Sequence, residues 1–201
     1  MKIKNTNQLR EIYGYPSGRA KHKVLKELDK HAKRFITKSP FLVVSSFNKN
    51  GKSDASPRGG SPGFVKILSN TILIIPDSKG NNRLDSITNI VETASIGLLF
   101  LIPGVDETLR VNGQAYLSTK EDYLQLFSSD KNPPKSCIIV NIDELFLHCA
   151  KALMRSKLWD DSSKINRNEL PSMGQMLKDQ IKDDQPIESQ SEMIQRYEKD
   201  L

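Results

Sequence analysis

One stretch of the sequence, PDSKGNNRLDS, carries side chains suited to binding a phosphate group. Lys79, Asn82 and Arg83 fall at the predicted start of a helix. Free backbone N–H groups and the positive end of the helix dipole favour an anion at such a place, and a guanidinium adds a forked, charge-assisted donor. The stretch therefore indicates an anion site, although helix capping and a pairing of Arg83 with Asp85 or Glu92 would give the same pattern.

Two further stretches combine cations with groups that could meet a flat ligand. SPRGGSPG sets Arg58 between a proline, which breaks a strand's hydrogen-bond ladder, and glycines, which let a ring approach the main chain closely. AKALMRSKLW puts Lys151, Arg155 and Trp159 at i, i+4 and i+8, which on a helix form one face with two cations and an indole. A plain loop and a solvated helix face with a half-buried tryptophan remain the simpler interpretations.

The side chains alone do not predict a catalytic centre. The sequence has no GxSxG, HExxH or Walker A motif and no paired Cys-His signature. His22 and His31 lie in a basic predicted helix, where a solvated position is expected. His148 adjoins Cys149, but two ligands adjacent in sequence seldom face one ion, so no metal site is predicted.

The elements that must position these residues are mainly β-strands. Alternating apolar residues and turn residues predict antiparallel strands, at 41–47, 53–58, 64–76 as a hairpin, 95–102 with both faces apolar, 103–118 with a possible bulge at Gly113, and 136–142. Apolar residues at three-to-four spacing predict helices, over 21–39, 80–93 and 120–127 and in the tail. Six or seven strands with such helices predict a mainly β fold, a closed or split β-barrel. A Rossmann fold fits the pattern poorly, because strand–helix alternation is missing and no GxGxxG follows a strand.

Composition indicates a globular protein with uneven charge. The 201 residues are 37% hydrophobic and carry a net charge of +6, which suits one domain with extensions. Residues 1–40 hold eleven Lys or Arg against three acids, whereas residues 160–201 hold six against ten. This asymmetry can attract nucleic acid, but helices with solvated charged faces also produce it, so nucleic acid is not an expected partner. No run suits a membrane helix or a signal peptide, so a cytoplasmic protein is expected.

Taken together, the motifs resemble a known family. SPRGGSPGFVKIL, LIIPDSKGNNRLDSITNI, GLLFLIPGVDETLRVNG and HCAKALMRSKLW are similar, in the same order, to the pyridoxamine 5'-phosphate oxidase-like proteins, which have the FMN-binding split-barrel fold. The resemblance implies an antiparallel split β-barrel core at 41–159. An N-terminal basic helical extension at 1–40 and a C-terminal helical tail at 160–201 would flank this core.

The resemblance also implies a homodimer with one FMN in each of two clefts at the subunit interface. Arg58 would reach the ribityl chain or the phosphate, and nearby backbone would lie along the ring. Asn82 and Arg83 stand where the family has an Arg-Lys phosphate pair, so an amide replaces one expected cation. The cofactor contacts implied are Ser56, Arg58, Gly59, Pro76, Asp77, Lys79, Asn82 and Arg83, with Thr108, Arg110, Lys151, Arg155 and Trp159 supplied by the second chain.

The function implied by the resemblance is an FMN-dependent oxidoreductase that passes hydride through flavin N5 to or from an unidentified small molecule. The flavin would carry the redox chemistry, so no side-chain nucleophile is needed. Pyridoxal phosphate synthesis is not expected, because the end of the sequence, MIQRYEKDL, lacks the Arg-Leu-x-Pro type motif. Two alternatives stay open: a non-catalytic flavin- or haem-binding module, with haem bound through His148, and a nucleic-acid binder that uses the basic N-terminal helix.

Overall fold

Seven β-strands form the body of the protein. A computed structural model describes residues 2–182, 184 and 186–201. The strands are β1 Phe41–Phe47, β2 Ser53–Gly59, β3 Lys66–Ser69, β4 Ile72–Pro76, β5 Ser95–Ile102, β6 Val105–Ser118 and β7 Cys137–His148. They form one antiparallel sheet in the order β2-β1-β5-β6-β7-β4-β3. The sheet is not closed, because β2 and β3 are free edges.

The inner face of the sheet surrounds the hydrophobic core. Leu42 and Val44 of β1, Phe100 of β5 and Leu73 of β4 are fully buried in one cluster. Three strands separate β1 from β4 in the sheet, so the sheet must curve for their side chains to meet. The prediction of an antiparallel split β-barrel with flanking helices is confirmed.

The outer face of β1 and β5 is apolar but remains partly exposed. Phe41 and Val43 alternate with the buried residues of β1, as the period of two in a strand requires. Leu99 of β5 lies opposite Val43 and is 36% exposed. The sequence predicts β5 to be apolar on both faces, and it is, but this chain buries only the inner one.

Eight α-helices flank the sheet in the described part of the chain. They are α1 Thr6–Tyr13, α2 Arg19–His22, α3 Lys30–Lys38, α4 Asp85–Thr93, α5 Glu121–Leu124, α6 Lys151–Ser156, α7 Met173–Ile181 and α8 Gln190–Glu198. Ala32 and Ile36 of α3 are buried in the core. Among the residues described, no helix has the length and apolar content needed to cross a membrane.

The prediction of one continuous helix over 21–39 is wrong. The main chain of Leu25, between α2 and α3, forms two hydrogen bonds with Leu145 of β7, at 2.9 and 2.8 Å. Asp29 then starts α3, because its carboxylate accepts the backbone N–H of Ala32 at 2.7 Å. Leu145 of β7 thus provides the backbone hydrogen bonds that Leu25 would have formed in a continuous helix.

The tail is helical, as predicted, and lies on the surface. Ser172 and Ser189 cap α7 and α8 by accepting backbone N–H groups at the third position of each helix. No described residue after position 160 is buried. The tail therefore adds little to the core.

The register between β6 and β7 shifts at Gly113. This glycine lies opposite Ile142, while the residue before it lies opposite Glu144. The predicted irregularity is therefore present, but the extra residue is Asp143 on β7. A Cβ on Gly113 would lie 2.0 Å from the carbonyl oxygen of Asn141, so no side chain fits there.

We expect Gly113→Ala to lower the free energy of unfolding by about 3 kcal/mol, the upper part of the usual range for overpacking, because the new methyl group meets backbone and not a flexible side chain. Chemical denaturation followed by circular dichroism measures the change.

Gly59→Ala is the matched control. Its Cβ would lie 3.5 Å from the carbonyl oxygen of Pro40, an ordinary contact, so its effect should stay within about 1 kcal/mol. If both variants unfold like the wild type, β7 can move without penalty and Gly113 is not required.

Candidate functional site

Strand β2 carries three polar side chains on its inner face. Asp54, Ser56 and Arg58 pair in register with inward-facing residues of β1 and are half-buried. The Nη1 atom of Arg58 donates to Ser56 Oγ at 2.7 Å and to the carbonyl oxygen of Pro57 at 2.8 Å. These bonds hold the guanidinium along the strand.

Pro57 does not break the ladder, contrary to the sequence-based expectation. Strand β2 stays paired with β1 from Ser53 to Gly59. Gly60 N–H donates to the carbonyl oxygen of Pro40, and Asn48 N–H donates to that of Lys52. Hydrogen-bonded pairs alternate with non-hydrogen-bonded pairs along an antiparallel ladder, so the even-numbered residues of β1 and β2 are the ones that bond to each other. The missing N–H of Pro57 therefore belongs to the free edge, where no strand needs it.

The two glycines after Arg58 have different roles. Gly60 is required by packing, because a Cβ there would lie 2.8 Å from Cβ of Phe64. Gly59 is exposed and would accept a Cβ with an ordinary contact. Packing within the chain explains Gly60 but does not require a glycine at position 59. The expectation that a glycine here lets a ligand approach the main chain therefore applies to Gly59 alone.

Helix α4 is fixed against the β1–β2 hairpin. Ser86 Oγ donates to the carboxylate of Asp54, and Asn89 Nδ2 donates to Ser46 Oγ at 3.1 Å. Ser86, Asn89 and Ser46 are buried. These bonds place the start of α4, and the β4–α4 loop of residues 77–84, beside β2.

The end of β4 brings a carboxyl group towards Arg58. Pro76 is buried and ends the strand, and the backbone N–H of Asp77 donates to the carbonyl oxygen of Ser136 at 3.0 Å. Burial raises the pKa of Asp77, and the nearby charge of Arg58 opposes this rise. Arg58 and Asp77 therefore belong to one electrostatic environment.

Arg83 is exposed and paired with the first residue of α4. Its Nε donates to Asp85 Oδ2 at 2.8 Å, and 74% of its side chain is exposed. This hydrogen bond lowers the pKa of Asp85 and raises that of Arg83, to which the charge of Asp54 adds. The pairing with Asp85 is one of the two simpler alternatives left open by the sequence. Because both groups are exposed, it contributes little stability.

The β4–α4 loop leads into a helix start that has no side-chain cap. Asn82 and Leu84 both have positive φ, 60° and 59°. Asparagine tolerates this conformation better than most residues. Leu84, at the N-cap, supplies no side-chain acceptor to α4. Helix α4 therefore starts without an N-cap acceptor, and the carboxylate of Asp85 accepts the backbone N–H of its own residue.

Lys79, in the same loop, already has an anionic partner. Its Nζ lies 2.6 Å from Oδ1 of Asp200, near the end of the chain. The sequence predicts Lys79 as a support for phosphate and gives no sign of this contact.

The predicted face of Lys151, Arg155 and Trp159 does not form. Helix α6 ends at Ser156, and Lys157 turns the chain with φ of 50°. Lys151 and Arg155 are exposed on α6. Trp159 is half-buried, and its Nε1 donates to the carbonyl oxygen of Val105 at 2.9 Å.

Strand β6 places Arg110 on the outer face of the sheet. Arg110 lies opposite Leu99 on one side and Phe146 on the other. Its Cζ lies 5.7 Å from the centre of the Phe146 ring, and Lys23 Nζ lies 4.8 Å from it. Neither cation forms an ion pair within the described part of the chain. Thr108, two residues earlier, is 3% exposed.

The structure thus separates the predicted site residues into two groups. Arg58 lies on the inner face and Arg110 on the outer face, so a single chain cannot bring both to one ligand. The first group surrounds the free edge of β2 and the β4–α4 loop: Ser56, Arg58, Gly59, Pro76, Asp77, Lys79, Asn82 and Arg83. The second group lies on β6, on α6 and after it: Thr108, Arg110, Lys151, Arg155 and Trp159.

Sequence reasoning missed three residues that shape these groups. Asp54 and Ser86 join β2 to α4, and Lys23 lies over Phe146. Strict alternation along β2 could have identified Asp54, because it shares a face with Ser56 and Arg58. No local pattern points to Lys23, since its contacts are on a distant strand.

Comparison with solved structures gives matches at low sequence identity. HupZ of Group A Streptococcus is 15% identical, with a TM-score of 0.51 over 60% of this chain and 93% of that chain. A putative pyridoxamine 5'-phosphate oxidase from Lactobacillus delbrueckii is 17% identical, with a TM-score of 0.48 over 62% of this chain and 98% of that chain. A comparison with curated proteins finds no match. At these identities the structural likeness concerns the fold alone.

The family comparison covers the whole sheet and the first group of predicted site residues. Residues 28–149 match the family described as Pyridoxamine 5'-phosphate oxidase. This range begins just before α3, runs through β7 and covers more than half of the chain. The protein therefore belongs to the pyridoxamine 5'-phosphate oxidase family.

Proposed function

We propose that the protein is an FMN-dependent oxidoreductase that acts on a small molecule. It would work as a homodimer with one FMN in each of two clefts between the subunits. The observation that carries this proposal is the convergence of Arg58, Asp77 and the β4–α4 loop beside the free edge of β2. Family membership supports a flavin at this place.

The residues present fit the phosphate end of FMN. The uncapped start of α4 offers backbone N–H groups and the positive end of the helix dipole. Arg83 stands immediately before this start and can turn from Asp85 to a phosphate, since an exposed ion pair is weak. A doubly charged phosphate is a better partner for a guanidinium than a single carboxylate.

The free edge of β2 fits the ring end. Because the ladder bonds fall at even-numbered residues, the N–H groups of Ala55 and Gly59 face the open edge. Gly59 has room beside it, and Arg58 would reach the ribityl chain or the phosphate from the same strand. When bound, FMN would supply reversible two-electron chemistry at N5. The chain would bind and orient it, and the Arg58 cation would stabilise negative charge nearby.

The outer face of the sheet fits a second copy of the chain. Val43, Leu99, Arg110 and Phe146 lie in one row across four strands. Covering this row would bury apolar surface that is now in water. It would also carry Arg110 and Lys23, which have no carboxylate partner among the described residues, towards the other subunit. An anionic ligand at the interface would compensate these charges.

The direct test of the proposed function is flavin binding. We expect the purified protein either to show visible flavin absorbance or to bind added FMN with one FMN per subunit. Bound flavin should be reduced and reoxidised reversibly. A colourless protein that does not bind added FMN at high micromolar concentration would contradict the proposal.

We expect Arg83→Ala to weaken FMN binding by about 2 kcal/mol, or roughly thirtyfold, because one charge-assisted hydrogen bond to phosphate is lost. Quenching of flavin fluorescence during titration measures the dissociation constant.

Arg34→Ala is the control for loss of charge. Arg34 is exposed on α3, away from the β4–α4 loop, so its removal should change the affinity by less than about twofold. Equal affinities for the wild type and the Arg83→Ala variant would remove Arg83 from the site.

We expect Leu99→Lys to convert the dimer to a monomer, because it places a third cation beside Arg110 and Lys23 in an apolar interface. Analytical ultracentrifugation measures the mass. Leu68→Lys is the control, since Leu68 is an exposed leucine of the edge strand β3. A Leu99→Lys variant that stays dimeric while folded would exclude this face.

A further inference from the structure

The last residues of the chain lie on two loops of the barrel. We call residues 198–201 the C-terminal end. Besides the ion pair of Asp200 with Lys79 in the β4–α4 loop, Lys131 Nζ donates to the carbonyl oxygen of Glu198 at 3.2 Å. Lys131 belongs to the loop between α5 and β7. Two separate loops thus contact one short segment.

Further contacts position the same segment. Asn132 Nδ2 lies 3.5 Å from the carbonyl oxygens of Lys199 and Leu201. Helix α8 ends here, so its last carbonyl groups, the negative end of its dipole, face the Lys131 ammonium. Lys131 and Asn132 therefore hold the C-terminal end in a position where the Asp200 carboxylate contacts Lys79.

The C-terminal end pairs with Lys79, the cation of the β4–α4 loop that the sequence predicts as a support for phosphate. The side chains of Lys79 and Asp200 share one short contact, and a phosphate near Lys79 would repel the carboxylate. We propose that the C-terminal end is a tethered anion that competes with phosphate for the β4–α4 loop and leaves Lys79 when phosphate binds. This inference rests on the proposed function, because it concerns the same site.

The competition should be moderate in size. Both members of the pair are substantially exposed, so the attached form is favoured only a few times over the free form. Tethering keeps the carboxylate at a high local concentration whatever the protein concentration. The apparent dissociation constant of FMN equals the intrinsic constant divided by the fraction of chains in the free form. An attached form favoured about two- to fivefold therefore raises it roughly three- to sixfold.

The first experiment compares FMN dissociation constants of the wild type, Asp200→Asn and Glu198→Gln at low salt. Both variants remove one negative charge from the C-terminal end. The carboxylate of Glu198 has no hydrogen bond or ion pair in the described part of the chain, and its backbone contact with Lys131 survives substitution. We expect Asp200→Asn to bind FMN three to six times more tightly than the wild type, and Glu198→Gln to bind within about twofold.

High salt should reduce the difference in FMN affinity between the wild type and Asp200→Asn, because salt screens both the Lys79–Asp200 ion pair and the attraction of Lys79 for phosphate. An Asp200→Asn variant that binds FMN no more tightly than the wild type overturns the proposal. An equal gain in FMN affinity in Glu198→Gln also overturns the proposal. The gain would then come from the loss of any negative charge in the C-terminal end and not from the loss of the contact with Lys79.

The second experiment needs no flavin. Hydrogen exchange of residues 190–201 is measured in the wild type with and without inorganic phosphate, and in Asp200→Asn. We expect exchange to rise both on adding phosphate and on substitution, and unchanged exchange in both cases overturns the proposal. A protein that binds no FMN overturns the proposed function, and the phosphate-dependent exchange then decides whether the C-terminal end competes for the loop.

Discussion

One buried and one partly buried side-chain hydrogen bond hold α4 to the β1–β2 hairpin, and the arrangement of the site depends on them. Ser86 donates to Asp54, and Asn89 donates to Ser46. A loop with two left-handed residues would otherwise have many positions available to it. Because the helix is fixed, the loop must end beside the free edge of β2, and the uncapped helix start faces the same region as Arg58. Polar groups buried in this way are costly unless every partner is present, so the alignment is strongly specified.

Of the three candidate cations beside β2, two already pair with a carboxylate and the third is held by hydrogen bonds. Arg83 pairs with Asp85 and Lys79 with Asp200, whereas Arg58 donates to Ser56 Oγ and to the carbonyl oxygen of Pro57. Anion binding here is therefore an exchange of partners and not the filling of an unpaired charge. The existing pairs at Arg83 and Lys79 are exposed and weak. A ligand with two negative charges can displace them without a large penalty, whereas a ligand with one charge gains little.

The sequence predicts well those features that depend on neighbours along the chain. Alternation identified the strands except the second half of β7, which runs on to His148 beyond the predicted 136–142, and the sequence offered Asp85 as one partner of Arg83. The features that sequence analysis missed depend on residues distant in sequence. Leu25 leaves the helix because β7 offers it backbone partners, and Trp159 leaves the α6 face because Val105 accepts its indole N–H. The Lys79 contact joins residues more than a hundred positions apart, for which no local periodicity exists.

The proline at position 57 also limits how molecules of this protein can associate. An exposed edge strand normally presents a regular row of donors and acceptors, onto which a strand from another molecule can add, and repeated addition leads to fibrils. On β2 the central donor of that row is missing, and the neighbouring Arg58 brings a charge. A small ligand that needs only one or two hydrogen bonds can still use Ala55 or Gly59. The same edge can thus remain open to a ligand while it resists continuous polymerisation.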